Sequence, residues 1–188
     1  MSKRSSSDDV SALILAGGRA TRFGGIAKHE LVVEGATIFE RQVRVLAPRV
    51  AEILVSMPTP HARYRTVTDV QEGIGPLAGI AAGLAACRTP WLLVIAGDMP
   101  YVSDALLERL IERTSHDVDA VGIRIDALPE PLLCVLHTRT LAKVQGRIAA
   151  ARFKASGLFT DEGLRVSWLD GVDRALVRNV NAPEDLRG

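Results

Sequence analysis

Residues 12–28, ALILAGGRATRFGGIAK, run an apolar strand straight into a glycine-rich, basic loop. Leu13, Ile14 and Leu15 suit a strand buried on both faces, and Gly17 and Gly18 let the backbone turn and present N–H groups. Such a junction is where an α/β protein holds phosphate, and Arg19, Arg22 and Lys28 add positive charge to it. The loop fits neither common nucleotide fingerprint. Phe23 stands where G-x-x-x-x-G-K-[ST] needs its second glycine, and Gly17-Gly18 does not give G-x-G-x-x-G.

Working outward, strand-like runs recur at Ala12–Ala16, Ile53–Ser56, Trp91–Ala96, Ala120–Ile123, Leu132–Leu136 and Val166–Leu169, with helical patterns between several of them. This alternation predicts an α/β sandwich with a mostly parallel central sheet. Thr37 and Glu40 form a capping box, after which Phe39, Val43, Leu46, Ala47 and Val50 fall on one helical face and Pro48 ends or bends the helix. Ser103 and Asp104 start a second helix whose Leu106, Leu107, Leu110 and Ile111 pack on the sheet. Gly75-Pro76-Leu77-Ala78-Gly79 opens a helix of small residues, suited either to a ligand or to tight helix–sheet packing through Gly79 and Gly83.

A chain of 188 residues fits one domain with a substantial core. Residues 1–9 are expected as a flexible tail and residues 10–188 as a single domain. The net charge of +1 gives no general attraction to nucleic acid or membrane, so an anionic ligand must be held by local basic clusters. No apolar run approaches the roughly 20 residues that span a bilayer, and no apolar signal core precedes the first strand, which points to the cytoplasm. Cys87 and Cys134 lack C-x-x-C spacing and read as core filling.

Asp98 follows the apolar strand Trp91–Ala96 in Gly97-Asp98-Met99-Pro100, at the ligand edge of a parallel sheet. A carboxylate there can coordinate Mg²⁺, which keeps several waters and bridges to phosphates; its other use is to form a turn or cap. Asp69 can accept from guanine's ring N–H and exocyclic amine, or be a solvated loop acid.

Taken together, Leu15-Ala16-Gly17-Gly18 with Arg22, Gly24 and Lys28, Asp69 with GPLAGI, GDMP containing Asp98, and the Asn179–Leu186 segment resemble the molybdenum cofactor guanylyltransferase family. The resemblance spans nearly the whole chain. It implies a Rossmann-like three-layer α/β/α sandwich of the nucleotide-diphospho-sugar transferase kind and transfer of GMP from GTP to the terminal phosphate of molybdopterin or the molybdenum cofactor. Mg²⁺ is the implied cofactor. Lys28 and Asp98 would be catalytic, with Asp98 on the metal, and Leu15, Ala16, Gly17, Gly18, Arg22, Lys28, Ser56, Asp69 and Asp98 would meet the nucleotide. Asn179 and Asn181 would meet the acceptor or else cap the helix start that follows. Molybdoenzymes or other cofactor-biosynthesis proteins are the implied partners. Cytidylyltransferase relatives tend to carry LAAG and lack GPLAG, so both segments favour guanine.

The chain departs from the family at Ala27, where an acid usually precedes the lysine, and at Ser56, where an asparagine is common. His29 and Glu30 either compensate for Ala27 or, the favoured reading, are surface residues. Arg147, Arg152 and Lys154 could meet the acceptor phosphate or form a solvated helix face, and Pro131-Leu132-Leu133 reads as structural. These departures keep two other readings open: a nucleotidyltransferase using CTP or GTP on another phosphorylated acceptor, and a GTP-binding paralogue with impaired catalysis.

Overall fold

The structure, a computed structural model, describes residues 7–17, 27–68, 74–181 and 185. A 3-10 turn over Ser7–Asp9 leads into β1 (Val10–Leu15). Next come the hairpin β2 (Val32–Val33) and β3 (Ala36–Thr37), α1 (Ile38–Leu46), β4 (Glu52–Ser56), β5 (Arg65–Val67) and α2 (Pro76–Ala86). The second half carries β6 (Trp91–Ala96), α3 (Asp104–Ile111), β7 (Ala120–Ile125), β8 (Leu128–His137), α4 (Leu141–Ala149), α5 (Gly157–Thr160) and β9 (Val166–Leu169).

The main sheet has the order β5-β4-β1-β6-β8-β7-β9. β8 pairs antiparallel with both β6 and β7, and the remaining pairings are parallel, as the alternating pattern implied. Alternate residues of the central strands face opposite layers. Ala12, Ile14, Leu93 and Ile95 pack with Leu46, Leu106, Leu107 and Leu110 of α1 and α3, whereas Leu13, Leu92 and Val94 pack with Leu77, Ile80, Leu84 and Val144 of α2 and α4. These are the three layers of an α/β/α sandwich. Gly83 lets α2 lie close on the sheet, because a Cβ there would stand 2.6 Å from a methyl of Leu13.

The Thr37–Glu40 capping box forms, with both reciprocal bonds. On α1 the expected face turns slightly: Ala47 is exposed, and Ile38 and Gln42 are buried. The edge strand β5 went unpredicted because Arg65-Thr66-Val67 is short and polar. Cys134 is fully buried, as expected of core filling, and burial pushes its thiol up. No helix among the described residues is long and apolar enough to cross a membrane.

The stretch containing Arg147 and Arg152 turns out to be a structural knot rather than an acceptor-phosphate site. Arg147 is 2% exposed and donates to Asp161 at 3.0 Å, to Glu162 at 2.9 Å and to the Lys154 carbonyl at 3.1 Å. Arg152 pairs with the same Glu162 at 3.0 Å, so both guanidinium groups are engaged within the domain.

Asp119, just before β7, ties three segments together. It accepts from Arg139 Nε at 2.7 Å, from the Arg165 backbone N–H at 3.0 Å and from Arg165 Nε at 3.2 Å. Hydrogen bonding from Arg165 holds its carboxyl well below the usual carboxylate range. A depressed carboxyl stabilises the fold above its unfolded pKa of about 4, and that contribution is lost as pH falls toward the folded value. Asp119→Asn is therefore expected to lower stability at pH 7 and to flatten its decline below about pH 4. Urea unfolding across pH 3–7 reads both effects; an unchanged acid slope contradicts the assignment.

Candidate active site

From β1 the chain crosses to β4 and β5 on one side and then returns to β6 on the other, so the β1/β6 boundary is a topological switch point. Loops leaving the carboxyl ends of two such strands diverge and leave a crevice between them. Here the crevice is a cleft of about 470 Å³ lined by Leu15, Ala16, Gly17, Lys28, Ser56, Asp98 and Asn179, with Gly75, Pro76 and Gly79 from the start of α2. These seven side-chain and loop positions were singled out from sequence, and the fold brings them to one place. Gly18, Arg22 and Asp69 lie outside the described residues.

Local backbone bonds shape the rim. Ala16 N–H donates to the Ser56 carbonyl at 2.9 Å and Gly97 N–H to the Leu15 carbonyl at 3.0 Å, so the loops after β4, β1 and β6 are laced side by side. Gly97 is required there, since a Cβ would stand 2.7 Å from the Leu15 carbonyl oxygen and backbone cannot yield. Gly75 adopts φ +79° as the residue before α2, a conformation L side chains rarely take, and Pro76 then presets the helical first turn. The positive end of the α2 dipole thus borders the cleft.

Lys28 heads a short 3-10 turn over Lys28–Glu30. Its Nζ donates to Asp98 Oδ2 at 2.9 Å and to Asn181 Oδ1 at 2.5 Å. Both members of the ion pair are largely shielded, with side-chain exposures of 24% and 17%. Asn181 thus accepts from the lysine with its side chain, and its backbone N–H donates to the Asp185 carboxylate at 2.7 Å. Val180 N–H donates to the Asp98 carbonyl at 2.8 Å, which docks the C-terminal segment on the loop after β6. Asp98 Oδ1 and Asn179 Oδ1 are buried with no hydrogen-bond partner among the described residues.

This donor set fits Mg²⁺. Asp98 and Asn181 offer hard oxygens on either side of the Lys28 ammonium, and Asp98 has a buried oxygen still to be satisfied. Among the described residues no group of three or more His, Cys, Asp and Glu could hold a metal. One carboxylate and one amide oxygen suit a hydrated cation that would take its remaining ligands from phosphates and water.

Two neighbours escaped the sequence reading. His29, expected at the surface, is 8% exposed and hydrogen-bonds the Ala16 backbone. Burial lowers its pKa, so the ring is a neutral wall of the cleft, and the hydrophilic neighbour Glu30 gave no hint of this. Leu132 also lines the cleft, although Pro131-Leu132-Leu133 read as purely structural: β8 slips by a bulge against β7 between Gly122 and Ile123, and the slipped segment reaches the β6 edge. Beside it, burial holds the Glu130 carboxyl above the usual carboxylate range, and the negative charge of Asp98 adds to the effect.

Comparison with known proteins bears on the family and the fold. The MobA-like NTP transferase domain matches residues 12–160. A probable molybdenum cofactor guanylyltransferase of Chloroflexus aggregans is 35% identical, over 95% of this chain and 92% of its own. One from Methanosarcina acetivorans is 32% identical, over 94% and 88%. Among solved structures, molybdopterin-guanine dinucleotide biosynthesis protein A of Archaeoglobus fulgidus superposes with a TM-score of 0.77 at 24% identity, over 94% of this chain and 95% of that one. The 2-C-methyl-D-erythritol 4-phosphate cytidylyltransferase of Thermus thermophilus gives 0.72 at 22%, over 95% and 96%. The last match shows that the fold alone does not select the base.

Because Asp98 and Asn181 already hold Lys28, an acid at position 27 has little left to position. Ala27→Asp is expected to change GTP affinity, measured by calorimetry, by less than about fivefold, the effect of a partly exposed added charge. A gain of a hundredfold or more would mean that Lys28 is badly placed in the natural sequence.

Proposed function

The chain belongs to the MobA-like NTP transferase family, and we propose that it transfers GMP from GTP to the terminal phosphate of molybdopterin or the molybdenum cofactor, with release of pyrophosphate. The observation that carries this reading is the Lys28–Asp98 pair, set at the switch point beside the glycine-rich loop and the start of α2. LAGG and GPLAG, with relatives named guanylyltransferases, support guanine over cytosine.

In this reaction an oxygen of the acceptor phosphate forms a bond to the α-phosphorus of GTP while the bond from that phosphorus to the β-phosphate oxygen breaks. The acceptor phosphate is already a nucleophile, so the protein's task is alignment and charge stabilisation. The Gly17 amide and the start of α2 hold the triphosphate. An ammonium has three donors; among the described residues Asp98 and Asn181 take two, leaving one for a phosphate oxygen, where its charge helps the pyrophosphate leave. Asp98 would hold Mg²⁺, which when bound neutralises phosphate charge. Ser56 would meet the nucleoside, and Asn179, whose amide oxygen has no partner among the described residues, would meet the acceptor. The placement of Lys28 argues against an impaired paralogue, since the missing acid at position 27 leaves the lysine held.

Turnover with molybdopterin, Mg²⁺ and each nucleoside triphosphate in turn tests the proposal, following pyrophosphate and the mass of any dinucleotide. The expected result is a guanine dinucleotide formed with GTP, and a loss of at least about 10²-fold in kcat/KM for Asp98→Ala. Product with CTP, or GTP binding without product, would instead favour another acceptor or base; full activity of Asp98→Ala would remove Asp98 from the metal.

A further inference from the structure

α1 buries an amide where its neighbours bury hydrocarbon. Gln42 is 1% exposed on the same helix as the fully buried Ile38 and Leu46. Burying a polar side chain is costly unless it is hydrogen-bonded, and the helix itself gains nothing from this one, since its N-terminus is already closed by the Thr37–Glu40 box. The amide reaches across to the loop after β6. Nε2 donates to the Ala96 carbonyl at 2.7 Å and to the Met99 carbonyl at 3.1 Å, the two carbonyls that flank Gly97 and Asp98. Met99 N–H also donates to the Ala96 carbonyl at 3.3 Å, so the turn is closed once by its own backbone and a second time by Gln42. Oε1 meanwhile has no partner among the described residues. The position therefore uses the amide as a double donor and leaves its acceptor idle.

We propose that Gln42 is a positioning residue for Asp98, clamping the Ala96–Met99 turn so that the carboxylate meets Lys28 on one side and a divalent cation on the other. The proposal rests on the reading of Asp98 as the carboxylate that holds the cation. Among the described residues the turn that carries Asp98 has three outside restraints: Gln42 from the α1 layer, the Gly97 N–H bond to the Leu15 carbonyl, and Val180, whose N–H donates to the Asp98 carbonyl. Without the clamp the Ala96 and Met99 carbonyls lose a buried donor, and the turn is held less firmly toward Lys28. Groups that orient a metal ligand from behind typically change metal affinity or activity by about 10- to 100-fold when removed.

The test uses Gln42→Met, which keeps the volume and removes both donors, and Gln42→Glu, which places acceptors against two carbonyls. Mn²⁺ is titrated into the GTP-saturated protein and followed by electron paramagnetic resonance, with thermal unfolding and turnover in parallel. The expected result is Mn²⁺ affinity weakened about tenfold or more in both variants, with metal-free GTP affinity changed less than about twofold. In an Asp98→Asn background, Gln42→Met is then expected to weaken Mn²⁺ no further, because the two act as a unit. Unchanged Mn²⁺ affinity in Gln42→Met, or a loss that simply adds to that of Asp98→Asn, overturns the positioning role even if the melting temperature falls. Unchanged Mn²⁺ affinity in Asp98→Asn itself overturns the metal reading and this proposal with it, so the two failures are told apart.

Discussion

The ion pair between Lys28 and Asp98 is the contact on which the rest of the site depends. Its worth does not lie in stability, because shielding two charges from water costs much of what their attraction gains. It joins a residue that follows the glycine-rich loop to one that follows β6, across the crevice where the loops diverge. A cation and a carboxylate held apart from bulk water, at the edge of a helix N-terminus, make a place prepared for phosphate before any ligand arrives. Asn181 extends the pair to a third segment, so three distant parts of the chain meet on one ammonium group.

Everything around the pair serves to keep that edge in register. The parallel pairing of β1 with β4 and β6 sets three strand ends level, and backbone bonds from Ala16 to Ser56 and from Gly97 to Leu15 continue the lacing past the strands. Gly97 permits that approach and Gly75 turns the chain into α2. The core beneath is tight on both faces, with Leu13 against α2 and Ile14 against the opposite layer. Displacing either layer would move the strand ends, and with them the pair.

Much of this was legible in the sequence, for physical reasons. Central parallel strands are buried on both faces and so read as continuous apolar runs, which is why Trp91–Ala96 and Ala12–Leu15 stood out and put Asp98 and Lys28 at one edge. What escaped depends on tertiary contact. His29 is polar in a polar stretch, and nothing local says that it is covered. Gln42 fell on the buried face of an amphipathic helix that had been assigned from its hydrocarbon residues. Arg147 read as a solvated or phosphate-binding charge because Asp161 and Glu162, which engage it, lie beyond the helix that carries it. Sequence order alone cannot say that Asn181, more than 150 residues on, closes over Lys28.

A second cavity of about 540 Å³, walled by Phe39, His61 and Tyr64, adjoins the first and shares His29 with it, which gives the central claim a clear rival location. The most direct measurement is a crystal structure of the protein with a non-hydrolysable GTP analogue and Mg²⁺. The account predicts the triphosphate along Ala16 and Gly17 toward the start of α2, with Lys28 Nζ on a phosphate oxygen and the cation on Asp98. A nucleotide seated instead beside Phe39, with the Lys28–Asp98 pair undisturbed and no cation on Asp98, would contradict it.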